Sequence, residues 1–304
     1  MENNNTKMAT ASINLAVSML IFGTIGVVVR YCDLPSGFVA MVRGFVGALV
    51  LILVTMIIKK RPDKEGIKEN LVLLLLSGAC IGVNWILLFE SYRYTTVATA
   101  TLCYYMAPVF AVIASPIFLR ARVGVGGWLC VSAAFLGMIM VSEPWSISPA
   151  SNDAVGILLA LGAAALYASV TIINKKMKEI SSYDTTIAQL FVAAVTVMVY
   201  TLVAEKVTPD MLGAKEIILL LVVGVIHTGV AYTLFFGSVK SLPTEAVAVM
   251  SYIDPIVAVL LSALLLGEPM SVFGVIGAVL IIAATLIYEL LPIITKKLKL
   301  TRGD

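Results

Sequence analysis

Ten long apolar runs follow one another along the chain, near 11–29, 38–58, 70–92, 97–119, 125–142, 155–173, 185–203, 216–237, 244–266 and 272–291, with short polar connections between them. Each is long enough to cross about 30 Å of hydrocarbon at about 1.5 Å per residue. No run alternates polar and apolar residues with the period of two that a barrel strand needs. Lipid leaves backbone polar groups no partner outside the segment itself, so every run is expected to be a helix. The predicted fold is all-α and membrane-integral, with ten transmembrane helices. The first run follows a polar head from Glu2 to Lys7, and no small-residue cleavage pattern follows it. It reads as a retained helix rather than a signal peptide.

Composition agrees with the pattern. The 304 residues are 60% hydrophobic and 13% charged, where soluble domains average about 25% charged. The net charge of +3 and the lack of a basic patch with interleaved aromatics give no footprint for nucleic acid. Cys32, Cys80, Cys103 and Cys130 have neither metal nor disulfide spacing and read as free thiols. No phosphate-binding glycine loop, His-Glu-x-x-His or Gly-x-Ser-x-Gly is present, so no enzyme chemistry, cofactor or metal is expected.

Basic residues set the orientation. With the N-terminus placed in the cytoplasm, sixteen of the 21 Lys and Arg fall in cytoplasmic segments and four outside, with Arg43 inside the second run. Both termini are therefore expected in the cytoplasm, and the protein in the cell membrane. The cytoplasmic count includes Lys240 and the basic tail.

The chain also repeats itself. Gly82-x-x-Trp85-x-Leu87-x-Phe89-x-Ser91 matches Gly229-x-x-Tyr232-x-Leu234-x-Phe236-x-Ser238 without a gap, at an offset of 147. The same offset relates Tyr105 and Pro108 to Tyr252 and Pro255, and Gly127 to Gly274. The unit is thus five helices: residues 1–142, then a linker over 143–154 with Pro144 and Pro149, a second unit over 155–291, and a basic tail over 292–304. A unit with an odd number of spans reverses direction in its second copy. This predicts an inverted 5+5 repeat, an architecture of alternating-access transporters that bind substrate near the bilayer midplane.

These residues resemble the drug/metabolite transporter superfamily, with two tandem EamA-type domains. The paired Tyr-x-x-Pro motifs, the Leu266-Gly267-Glu268-Pro269 turn, Arg43 and the doubled unit carry the resemblance. It implies a central cavity lined chiefly by helices 3, 4, 8 and 9 with helices 1 and 6, and a secondary transporter of small metabolites, foremost an amino-acid-type exporter. A broad-specificity efflux pump for drugs or organic cations and a non-transporting scaffold are the alternatives. The first half departs from the pattern, with Leu119-Arg120-Ala121-Arg122 where the second has its Leu-Gly-Glu turn. The expected partners are a small-molecule substrate, the lipid bilayer, protons, and a second copy of the chain as a homodimer.

Depth singles out candidate site residues. Asp254 lies roughly 15 Å into the ninth run and His227 roughly 16 Å into the eighth, both near the midplane. An acid there costs on the order of 2.5–3.5 kcal/mol on insertion scales, so Asp254 is expected to bind a cationic group or carry a coupling proton. Its other reading is a cap for donors freed at the proline break. His227 is either a proton relay or substrate contact, or a neutral ring filling a helix contact. Trp85 and Tyr232, and Tyr105 and Tyr252, are repeat-equivalent aromatics that either line the cavity or pack. Tyr104, Asn84, Ser251 and Thr101 are further cavity candidates. Pro108 and Pro255 remove a backbone donor and are expected to kink their helices. Arg43 and Glu90, at matched depth, are expected to pair as an outer gate; the other reading gives Arg43 to a substrate carboxylate. Tyr31, Trp145 and Tyr288 read as interface aromatics, the glycines at 23, 26, 274 and 277 as close-packing sites, and Gln189 and Asn174 as interhelical hydrogen-bonders.

Overall fold

A computed structural model of the chain describes residues 2–143, 145, 152–239 and 241–302. Pro144, Pro149 and Lys240 lie outside the described residues. Among the described residues, ten helices are long and apolar enough to cross a membrane: α1 Lys7–Arg30, α2 Ser36–Ile57, α3 Leu71–Tyr94, α4 Val97–Phe118, α5 Val125–Ser142, α6 Asp153–Lys176, α7 Ser182–Ala204, α8 Ala214–Val239, α9 Ala246–Leu265 and α10 Val272–Leu291. The first helix begins at Glu2 and the last runs on to Arg302. A short helix, Lys64–Glu69, sits between α2 and α3.

Helix ends sort to two faces. On one, Arg30 pairs with Glu268 and Lys215 with Asp33, Ser271 bonds Glu143, and the Trp145 and Phe273 rings meet edge to face. On the other, Lys60 bonds Ser181 and Lys178 pairs with Glu69. Asn70 there binds Lys178 through both its amide and its carbonyl. Ten successive spans produce this alternation.

The packing pairs helices across the two halves. α3 packs on α6 as α8 packs on α1, α3 on α7 as α8 on α2, and α4 on α6 as α9 on α1; α2 packs on α7, α4 on α9 and α5 on α10. Each pairing maps onto another, or onto itself, when every helix is exchanged for the one five places on. Lipid supplies no hydrophobic drive between helices, so small residues that let backbones approach govern such contacts. A Cβ on Gly23 would meet the Asp254 carbonyl and Val257 on α9, each at 2.7 Å. A Cβ on Gly277 would lie 2.5 Å from the Gly137 carbonyl, and one on Gly137 2.7 Å from the Gly277 carbonyl. Gly274, in contrast, faces Met270 and Ser271 near its own helix start. Backbone cannot move aside as a side-chain tip can. Gly277→Val is expected to part α5 from α10 and cost about 1–3 kcal/mol, seen as a lower melting temperature of the purified protein.

Two helices are broken, both at the Tyr-x-x-Pro copies. α4 is interrupted between the segments Val97–Tyr104 and Ala107–Phe118, and α9 between Thr244–Ser251 and Ile253–Leu265. Pro108 and Pro255 have no N–H to give the carbonyls four residues earlier, those of Tyr104 and Ser251. The chain tightens just ahead of each, with Met106 N donating to the Cys103 carbonyl at 3.1 Å and Tyr252 N to the Val249 carbonyl at 3.3 Å. α8 is irregular in another way. Over Val222–Val230 it widens to i→i+5 bonding, a distortion that often accompanies functional sites.

Candidate functional site: a one-ended cavity and a closed opposite face

A cavity of about 500 Å³ opens among α3, α6, α7 and α8. Its mouth is the α6–α7 connection, where Lys178 and Glu179 are exposed, and its inner wall is aromatic, with Trp85, Tyr167, Tyr232 and Phe236. Trp85 lies roughly 21 Å along α3 from Leu71. The Tyr232 and Phe236 rings stack at 5.8 Å, and Phe22 of α1 tilts against Tyr232 at 5.3 Å. Asn174 and Gln189 stand on the wall, joined by a 2.7 Å hydrogen bond, and Gln189 also donates to Ser77 of α3. The volume falls within the ~300–1,000 Å³ range of small-molecule sites.

Of the sequence candidates for substrate contact, Trp85 and Tyr232 stand on this wall. Asp254 does not. It is half-buried, and the Tyr105 hydroxyl donates to its Oδ2 at 2.8 Å. The Tyr105 ring packs 6.3 Å from Tyr252, which is 5% exposed. Tyr104 connects the two groups: its ring packs 5.7 Å from the wall residue Tyr167, and its neighbour Tyr105 holds Asp254. His227, Asn84 and Ser251 are also off the wall. His227 is buried between Thr24 of α1, 2.7 Å from Nε2, and the Val222 carbonyl, 3.1 Å from Nδ1. Asn84 donates to the Ala163 carbonyl of α6, Ser251 bonds back to its own helix at Val247, and Thr101 is buried. The cavity is thus walled by α7 where α4, α9 and α1 were expected. In this conformation α4 and α9 pack against each other and against α6 and α1, which closes that side.

The expected Arg43–Glu90 pair is not formed. Glu90 accepts from Ser36 at 2.6 Å and pairs with Arg93 of its own helix at 3.7 Å. Arg43 instead lies over Trp85, with Cζ 4.2 Å from the ring centroid, and 5.6 Å from Phe89. Its Nε donates to Thr228 at 3.0 Å. Consecutive helical residues point about 100° apart, so presenting Phe89 to Arg43 turns Glu90 away. Tyr167 was not singled out in the sequence, although the depth arithmetic applied to Asp254 and His227 puts it deep within its span as well.

The face opposite the mouth is tied shut, and the acid responsible is Glu268 of the Leu-Gly-Glu turn. Its Oε1 lies 3.3 Å from Arg30 at the end of α1. Its Oε2 accepts from the Val97 amide at 3.0 Å, at the start of α4, and from Ser262 at 2.7 Å. Ser262 accepts in turn from the Ala98 amide at 3.2 Å. Glu205, after α7, takes the Gly37 and Phe38 amides of α2, each at 2.8 Å. Each acid satisfies the open donors of a helix N-terminus on another element, where the helix dipole favours negative charge. Cys32 is buried beneath this face, and burial pushes its thiol above the ordinary value, with Glu216 and Asp33 adding to the effect.

The EamA-like transporter family model matches residues 9–143 and again 154–289. An uncharacterized transporter, YxxF, of Bacillus subtilis is 28% identical over 92% of this chain and 89% of its own. A riboflavin transporter of Vibrio cholerae is 28% identical over 56% of this chain and 57% of its own. Protein RarD of Salmonella typhi is 24% identical over 66% of each chain. One solved crystal structure superposes with a TM-score of 0.63 over 93% of this chain and 97% of that one, at 16% identity, a likeness of fold.

Proposed function

The chain belongs to the EamA-like transporter family, and from that premise we propose a secondary transporter that works by alternating access and exports small amphipathic metabolites of the amino-acid type. The observation that carries this reading is the asymmetry of the two faces: a cavity of about 500 Å³ reaches the exposed α6–α7 connection, while Glu268 and Glu205 tie the opposite helix ends together. With the basic residues placed in the cytoplasm, the mouth faces the cytoplasm, where an exporter loads. The helix pairings that survive exchange of the halves support an inverted repeat, whose two arrangements would interchange open and closed faces. Pro108 and Pro255 put a hinge at the same offset in each half. Asp254 or His227 would carry a coupling proton. His227 suits a relay, since its ring nitrogens meet a carbonyl on one side and a hydroxyl on the other.

Proteoliposomes test the proposal. Purified protein is expected to give saturable counterflow of one or more labelled amino acids with no nucleotide present, and an imposed pH gradient is expected to speed it. Trp85→Ala and Tyr232→Ala remove aromatic area from the wall and are expected to raise KM about tenfold. Trp85 is 5% exposed, so its truncation is also expected to lower the melting temperature, while the half-buried Tyr232 is the cleaner test of binding. Preference for lipophilic cations, with those two variants unaffected, would replace this reading with broad drug efflux. Riboflavin belongs in the same competition series because a relative is named for its transport.

A further inference from the structure

Between the mouth of the cavity and its aromatic inner wall, two carboxamides leave one acceptor and one donor unused. Gln189 and Asn174 both line the cavity. Gln189 lies roughly 10 Å along α7 from Ser182 and is 5% exposed, while Asn174, near the end of α6, is open to solvent. Which end of a carboxamide is oxygen follows from its hydrogen bonds, and here they fix both groups. The Ser77 hydroxyl gives its proton to the Leu73 carbonyl at 2.7 Å, so it can only accept from Gln189. The Gln189 atom 2.7 Å away is therefore Nε2. Its second N–H goes to Asn174, also at 2.7 Å, which makes the receiving atom Oδ1. Gln189 Oε1 and Asn174 Nδ2 remain, on either side of that last bond, and neither has a hydrogen-bond partner among the described residues. Buried side-chain atoms sealed without a partner, among the described residues, are confined to Asn84 Oδ1 and Thr201 Oγ1. Gln189 Oε1 is therefore open to the cavity, although its residue is buried.

The surroundings leave this pair as the wall's neutral polar feature. The Thr171 and Thr185 hydroxyls give their protons to carbonyls of their own helices, those of Tyr167 and Ser181. The charges of Lys178 and Glu179 stand at the exposed rim, where Lys178 pairs with Glu69 at 3.3 Å. An acceptor beside a donor matches a carboxamide edge, whose N–H would give to Gln189 and whose carbonyl would take from Asn174. A carboxylate brings acceptors alone and sets its lone pairs against Gln189 Oε1. An ammonium or amidinium brings donors alone and meets the Asn174 N–H groups. A ketone pairs with Asn174 and leaves Oε1 without a donor. Each mismatch strands a polar group on a partly apolar wall, which is costly. The flat rings of Trp85, Tyr167 and Tyr232 lie beyond and suit a planar body. We propose that Gln189 and Asn174 form an amide-reading station, which takes the neutral carboxamide edge of a small substrate, on a side chain or on a flat ring, in preference to a carboxylate, an ammonium or a ketone in the same place. This rests on the transporter reading above and adds to it a discriminating contact on the way to the aromatic wall.

Four probes with one ring and different edges test it on the full-length protein: nicotinamide, nicotinate, 3-acetylpyridine and 3-amidinopyridine. Nicotinamide is expected to raise the melting temperature at the lowest concentration, and each of the others to need at least about tenfold more. Asn174→Asp keeps Oδ1 for Gln189 and puts an acceptor where the donor was. It is expected to reverse the order, with 3-amidinopyridine ahead of nicotinamide by about tenfold. The comparison on the unmodified protein stands even if the variant fails to fold. Glutamine, glutamate and leucine, as competitors in the same assay, separate the two sources of the edge. Glutamine ahead of the other two identifies a side-chain amide, and a response to nicotinamide without one to glutamine identifies an amide on a flat ring. Nicotinamide no better than 3-acetylpyridine, together with glutamine no better than leucine, would overturn the proposal, as would an unchanged order in Asn174→Asp. The melting assay needs no transport, so the transporter reading fails separately, if proteoliposomes of the same preparation show no counterflow of any solute from a metabolite mixture.

Discussion

Asp254→Asn is expected to lower transport about a hundredfold while leaving the protein folded. Asparagine keeps an oxygen to accept from the Tyr105 hydroxyl, whose bond to Oδ2 measures 2.8 Å, so the contact between α4 and α9 persists. The variant loses only the charge and the ability to take up a proton. An acid at mid-membrane costs on the order of 2.5–3.5 kcal/mol to insert, so removing it should not depress expression or melting temperature. What disappears is a charge-assisted contact to substrate of about 1.5–3 kcal/mol, together with any coupled proton. Tyr105→Phe is the companion measurement. It leaves the acid in place without its donor and is expected to weaken transport less. Uptake by Asp254→Asn within twofold of the unmodified protein would remove Asp254 from the mechanism.

Neutralising Glu268 is expected to unlock the opposite face. The carboxylate holds Arg30, Ser262 and the first amide of α4 together. The ion pair is partly exposed, with side chains 35% and 13% accessible, and by itself is worth about 1 kcal/mol or less. The bonds from the Val97 amide and Ser262 are better shielded and raise the total to about 2 kcal/mol. Glu268→Ala, which leaves Arg30, Ser262 and the Val97 amide without that acceptor, should therefore shift the balance between closed and open arrangements about thirtyfold. Cys32, 6% exposed in the α1–α2 connection, is a native reporter of that face. A membrane-impermeant maleimide applied from the Arg30 side is expected to label Cys32 slowly in the unmodified protein, because the thiol is covered and burial disfavours its thiolate. In the variant the rate should rise about thirtyfold. An unchanged rate would show that Glu268 serves stability alone, and labelling from the other side only would reverse the orientation derived from the basic residues.

Part of this was legible in the residue order alone, for a reason that is physical. Lipid admits only segments that satisfy their own backbone bonds, so the apolar runs had to be helices, and their limits agree with the structure to within a few residues: 97–119 was expected where α4 spans Val97–Phe118. The two helix breaks were legible too, since a proline removes the same backbone bond wherever it stands. Pairing of Trp85 with Tyr232 followed from the offset of 147. Depth along a helix also follows from counting, but it is only one of the coordinates that decide a contact. Arg43 and Glu90 share a depth and face different neighbours. Asp254 and His227 share one too, yet Tyr105 holds the first and Thr24 lies against the second. The rotation of each helix about its axis, and the conformation in which α4 and α9 close together, come from packing among all ten helices. For that reason the tertiary structure alone decided which side of the bundle opens, which acid ties the far face, and that Gln189 and Asn174 keep an acceptor and a donor to spare.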